Sequence, residues 1–81
     1  MSGSGEIVVE ARGHRCPTPT LLLQRAVRAA PAGAELVLLA DDPLARIDIS
    51  TLLRETGDVL EGVGDTDGVL LFRVRKADPA E

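Results

Sequence analysis

The order of periodic segments in this 81-residue chain predicts an α/β fold. The expected architecture is a two-layer sandwich of order β-α-β-α-β-β, a four-stranded mixed sheet with two helices on one face. Three observations carry this. Two stretches of helical periodicity each lie between strand-like stretches. Right-handed crossovers put both helices on the same face of the sheet. A Gly- and Asp-rich turn joins the last two strands as a hairpin.

Each element has its own signal. Ile7 to Ala11 alternates, with Ile7, Val9 and Ala11 on one side and Val8 and Glu10 on the other. After the polar loop Arg12-Gly-His-Arg15, Pro17 to Ala30 reads as a helix. Leu22, Leu23, Ala26, Val27, Ala29 and Ala30 share one face, opposite Thr20, Gln24, Arg25 and Arg28. Pro31 and Gly33 stop it. Glu35 to Ala40 is nearly continuously apolar, as a central strand should be. Asp42-Pro43 opens a second helix by capping, with Ala45, Ile49, Leu52 and Leu53 as its buried stripe and Gly57 as its end. Strands near Asp58 to Val63 and from Val69 to Arg75 flank the turn Gly64-Asp-Thr-Asp-Gly68. The domain is expected over 6–76, with a flexible leader at 1–5 and a frayed tail at 77–81.

Composition removes whole classes of function. At this length roughly 60 % of the unfolded chain's surface is buried, enough for one thin core and no large enclosed pocket. No apolar run approaches the ~20 residues of a membrane span, and the first residues lack the features of a signal peptide. The cytoplasm is the expected location. A net charge of −4 and a lone aromatic, Phe72, argue against nucleic-acid binding. One cysteine excludes an internal disulfide, and one cysteine with one histidine is too few for a zinc site. No metal or bound cofactor is expected.

The chemistry concentrates in Gly13-His-Arg-Cys16-Pro17-Thr18-Pro19. A helix beginning at Pro17 makes Cys16 its N-cap. Prolines at the first and third helical positions then occupy places where an N–H has no intrahelical acceptor, leaving the Thr18 N–H as a free donor. A sulfur at the cap sits where the helix dipole favours negative charge. Arg12, His14 and Arg15 add positive potential. Together these push the thiol toward thiolate, below the ~8.5 of free cysteine, and would steady the terminal anion of a persulfide. A free cysteine is more often a small buried hydrophobe, but one flanked by Arg and Pro ahead of a helix is poorly placed for burial.

The run Glu10-Ala-Arg-Gly13-His-Arg-Cys16-Pro-Thr-Pro19, followed by Ala40-Asp-Asp-Pro43 and Asp48-Ile49, resembles the TusA/SirA-like sulfur-carrier family, marked by Cys-Pro-x-Pro at the start of its first helix. The likeness spans about Ile7 to Lys76. It implies the fold above, a cytoplasmic location, and a cysteine that accepts sulfane sulfur as a persulfide and passes it on. That residue maps to Cys16, with Pro17 and Pro19 as its supports. The covalent sulfur is cargo rather than cofactor. The implied partners are a donor, a cysteine desulfurase or rhodanese, and an acceptor sulfur-relay protein. Such a chain is a relay rather than a stand-alone multiple-turnover enzyme. Glu10 and His14 stand where the family commonly has Asp and Leu, which bears on the choice of partner. The lone thiol suits a relay, because a second cysteine would collapse an arriving persulfide into a disulfide.

Other readings compete. A non-catalytic regulatory or interaction module would use the Cys-Pro-x-Pro segment only to build a helix start. Haem ligation by a Cys-Pro thiolate lacks a pocket for the porphyrin, and a Cys16–His14 catalytic pair lacks a substrate cleft. Asp41, Asp42 and Asp48 read first as capping and dipole compensation, with Asp48 also able to pair with an arginine of the Cys16 loop. Leu21, Ile47 and the pair Val69 and Leu71 are candidate exposed apolar residues for a partner or a weak dimer; otherwise a monomer is expected.

Overall fold

The computed structural model describes residues 6–15 and 17–77; the expected leader at 1–5, Cys16, and residues 78–81 of the expected tail lie outside them. The elements are β1 (Ile7–Glu10), α1 (Thr18–Ala29), β2 (Glu35–Ala40), α2 (Ala45–Thr56), β3 (Val59–Thr66) and β4 (Val69–Arg75). The sheet order is β1-β2-β4-β3. β1 and β2 pair in parallel from Ile7 opposite Leu36 to Glu10 opposite Leu39, while β4 runs antiparallel to both of its neighbours. This is the expected mixed sheet.

The core lies between the sheet and the helices. Leu36, Leu38 and Ala40 from β2 and Leu70, Phe72 and Val74 from β4 meet Leu23 and Val27 of α1 and Ile49, Leu52 and Leu53 of α2 in one cluster. Each such aliphatic or aromatic side chain contributes about 1.5–3 kcal/mol by leaving water. β2 is apolar from Leu36 to Ala40 because it is internal: Val37, on the face away from the helices, is also buried. Val69 and Leu71 on that face are half-buried rather than fully exposed, and Leu71 lies opposite Leu39.

Several boundaries differ from the sequence expectation. α1 starts at Thr18, so the cap position falls to Pro17 rather than Cys16, and Pro19 is the second helical residue. Its buried stripe is Pro19, Leu23 and Val27, spaced by four, while Ala29 is exposed and Thr20 and Gln24 are half-buried. The stripe is rotated because Pro19 itself enters the core. α2 becomes regular only at Ala45, after a turn in which the Asp42 carbonyl accepts the Ala45 N–H at 2.9 Å. β3 runs on to Thr66, so the hairpin turn shrinks to Asp67-Gly68. Both turn residues have positive φ (52° and 84°), the two-residue geometry whose twist matches that of paired strands. The five-residue turn expected from composition counted Gly64 and Asp65, which instead pair with Leu71 and Leu70. Neither helix is long and apolar enough to cross a membrane.

Candidate functional site

The site is built where β1 ends and α1 begins. Ala11 continues the β1–β2 pairing, its N–H donating to the Leu39 carbonyl at 2.8 Å, and its side chain is fully buried. The chain then turns at Gly13, whose φ of +86° is the left-handed region that favours glycine. The Gly13 N–H donates to both carboxylate oxygens of Asp41, at 3.0 and 3.1 Å. The His14 N–H returns to the Ala11 carbonyl at 3.2 Å. Arg15 and Pro17, the covalent neighbours of Cys16, are each engaged by α1: the Arg15 carbonyl accepts the Thr18 N–H at 2.9 Å and the Pro17 carbonyl accepts the Leu21 N–H at 3.1 Å. The Thr18 N–H is therefore committed to Arg15 and is not the free donor that the sequence suggested.

The prolines divide their work. Pro17 is exposed at the cap, whereas Pro19 is almost completely buried beneath the first turn of α1. Neither needs an acceptor for an N–H, so the turn carries two fewer orphan donors than usual. The first turn contains no acidic residue and no side-chain cap bond.

The three basic residues of the loop are not equivalent. Arg12 Nε and a terminal nitrogen hold the Glu10 carboxylate at 2.8 and 2.7 Å, and the Arg12 N–H donates to it at 3.1 Å. These hydrogen bonds pull Glu10 down from the ordinary 4.5 to about 2, and Glu10 and Asp41 raise Arg12 above its usual value. The charge of Arg12 is thus spent on carboxylates. Arg15 is exposed. Of the two arginines, it is Arg15, the residue before Cys16 in the sequence, that makes no ion pair among the described residues.

Asp48 does not pair with an arginine of this loop. It lines a shallow groove of about 280 Å³ with Pro17, Thr20, Thr51, Leu52 and Glu55. The Thr20 hydroxyl is buried with no hydrogen-bond partner among the described residues. The carboxylate that reaches the loop is Asp41, which sequence reasoning placed among the capping residues. The register of the sheet places it there: β1 and β2 run in parallel with Glu10 beside Leu39, so the residues shortly after each strand lie near one another. Leu21 and Ile47 are exposed as expected, and Leu44 joins them.

The site can be set beside known proteins. The sequence model of the sulfurtransferase TusA family matches residues 7–76. The chain belongs to this family. The sulfur carrier protein TusA of Pseudomonas savastanoi pv. phaseolicola is 37 % identical over 71 residues, covering 88 % of this chain and 84 % of its own. That of Pseudomonas entomophila is 34 % identical over 71 residues, covering 88 % and 89 %. In three dimensions the crystal structure of a SirA-like protein from Desulfitobacterium hafniense superimposes with a TM-score of 0.77 at 23 % identity, over 89 % of this chain and 99 % of the other, which establishes the shared fold. Membership of the TusA family makes the chain a sulfur carrier and implies partners in a sulfur relay.

Proposed function

We propose that Cys16 is the residue on which this TusA-family chain carries sulfur. In the first half-reaction the Cys16 thiolate attacks the outer sulfur of a donor persulfide. The donor's inner sulfur leaves as a thiolate, and Cys16 holds the persulfide. In the second half-reaction an acceptor thiolate attacks that outer sulfur and Cys16 leaves as thiolate. Each step exchanges one S–S bond for another and needs no outside oxidant. The donor is a cysteine desulfurase or a rhodanese, the acceptor is another sulfur-relay protein, and the setting is the cytoplasm. Gly13, Pro17 and Pro19 shape the backbone on either side of Cys16, and Arg15 supplies positive potential.

The observation that carries this reading is the chemistry of α1's first turn. Directly after Cys16 stands a helix start without a carboxylate or a side-chain cap, so the position favourable to an anion is filled by no group of the first turn itself. The test is intact mass after incubation with a desulfurase and cysteine, without reductant. The expected result is a gain of one sulfur, reversed by dithiothreitol and absent in Cys16→Ser. Sulfur uptake by Cys16→Ser at the wild-type level would overturn the assignment. No uptake by the wild-type chain from a desulfurase, or from a rhodanese with thiosulfate, would favour a non-catalytic interaction module.

A further inference from the structure

We propose that Asp41 is a positioning residue for sulfur transfer, holding the Cys16 loop in place through the backbone of Gly13; this rests on the assignment of Cys16 above. Asp41 is the first residue after β2, the strand that pairs in parallel with β1. Its carboxylate reaches across to the loop leaving β1 and takes the Gly13 N–H on both oxygens. No other side chain among the described residues hydrogen-bonds the backbone of residues 13–15.

The tether is needed because Gly13 is where the loop is least determined by itself. A glycine at φ +86° has conformational freedom on both sides of φ = 0, and nothing lies within 4 Å of where its Cβ would be. Packing therefore does not hold this residue; the charged hydrogen bond does. From Gly13 the constraint passes through His14 and Arg15 to the Thr18 N–H that grips the Arg15 carbonyl. The loop is thus fastened to the sheet at Ala11, to the end of β2 at Gly13 and to α1 at Arg15. Cys16 follows immediately. Because the attack on a donor persulfide is in line, the thiol's placement at the protein–protein encounter sets the rate. Asp41 also lies near Arg12 and adds to the rise in its pKa.

The experiment measures the rate of persulfide loading from a desulfurase by intact mass, in the wild-type chain and in Asp41→Asn, Asp41→Ala and Gly13→Ala. Amide exchange at Gly13 is followed in parallel. Asp41→Ala should load about tenfold more slowly and lose protection at the Gly13 amide. Asp41→Asn, whose side-chain carbonyl still accepts from Gly13, should recover most of the rate. Gly13→Ala keeps the carboxylate but strains the turn, and should slow loading to a similar degree. Loading of Asp41→Ala or Gly13→Ala at the wild-type rate overturns the proposal, as does Asp41→Asn being no faster than Asp41→Ala. Unfolding of Asp41→Ala and Asp41→Asn alike makes the residue a fold determinant and overturns it too. A wild-type chain that takes up no sulfur refutes the assignment of Cys16 itself, a result distinguishable because it precedes any variant.

Discussion

Both helices begin just beyond the ends of the two parallel strands, α1 after β1 and α2 after β2, yet their first turns are finished with opposite chemistry. At α2 the chain supplies its own anions. Asp42 is buried, its Oδ1 accepts the Leu44 N–H at 3.0 Å, and Asp48 follows in the first turn. At α1 there is no acidic residue in the first turn, and two prolines there lack donors. One helix start is closed by its own carboxylates and serves stability. The other, which follows Cys16 in the sequence, supplies none in its first turn, as the proposed role of Cys16 requires. The first turn of α1 thus supplies no carboxylate of its own to compete with a negative sulfur.

Variants can break this contrast or sharpen it. The largest effect on folding belongs to the closed start: Asp42→Ala should lower stability by about 2 kcal/mol in denaturant unfolding, because the buried carboxylate that accepts the Leu44 N–H in the turn leading into α2 is lost, while the folded fraction still loads sulfur. Normal stability in that variant would erase the distinction. At the start of α1, Thr18→Ala should change stability by no more than about 0.5 kcal/mol, since its side chain makes no cap bond. Within the loop, Arg15→Gln should slow alkylation of Cys16 at neutral pH by about twofold, with Arg12→Gln having less effect because Arg12 is occupied by Glu10. An equal effect of the two would show that the Glu10 tie does not shield the thiol from Arg12.

The smallest effect is on pH dependence. Glu10 titrates at about 2 in the fold against an ordinary 4.5, so its contribution is present above the ordinary value and is lost as pH falls through the lower one. Glu10 is solvent-exposed, so the loss should be slight. A carboxyl-carbon titration by NMR should give a midpoint near 2, returning to the usual glutamate range in Arg12→Gln. A normal midpoint in the wild-type chain would mean that the pair does not persist in solution.

Most of the fold was legible because each element announces itself by a local pattern: the alternation of Ile7 to Ala11, the apolar run of β2, the Gly57 stop of α2. The positions that misled are those decided by partners distant in sequence. Gly64 and Asp65 look like turn residues but are held in β3 by their pairing with β4. Ala29 has the periodicity of the core but is exposed, because the buried stripe of α1 runs instead through Pro19, Leu23 and Val27. At the site, the role proposed for Cys16 is drawn from its neighbours, Pro17 and Arg15. The roles of the aspartates could not be drawn from theirs, because Asp41 and Asp48 are seven residues apart on the chain and only tertiary structure decides which one faces Gly13. The pairing of Arg12, by contrast, is local, since Glu10 lies only two residues before it.

The placement of β4 between β2 and β3 has a consequence for how the chain is made. Among the described residues the last strand is internal in the sheet, and β3 pairs only with β4. During synthesis, β1, β2 and both helices emerge from the ribosome before the strand that joins them to β3 exists. A nascent chain stopped before Val69 has a two-stranded sheet, a core without Phe72 and a β3 with nothing to pair with. Folding is therefore deferred until nearly the whole domain has been translated, and it completes in one cooperative step as the last strand inserts.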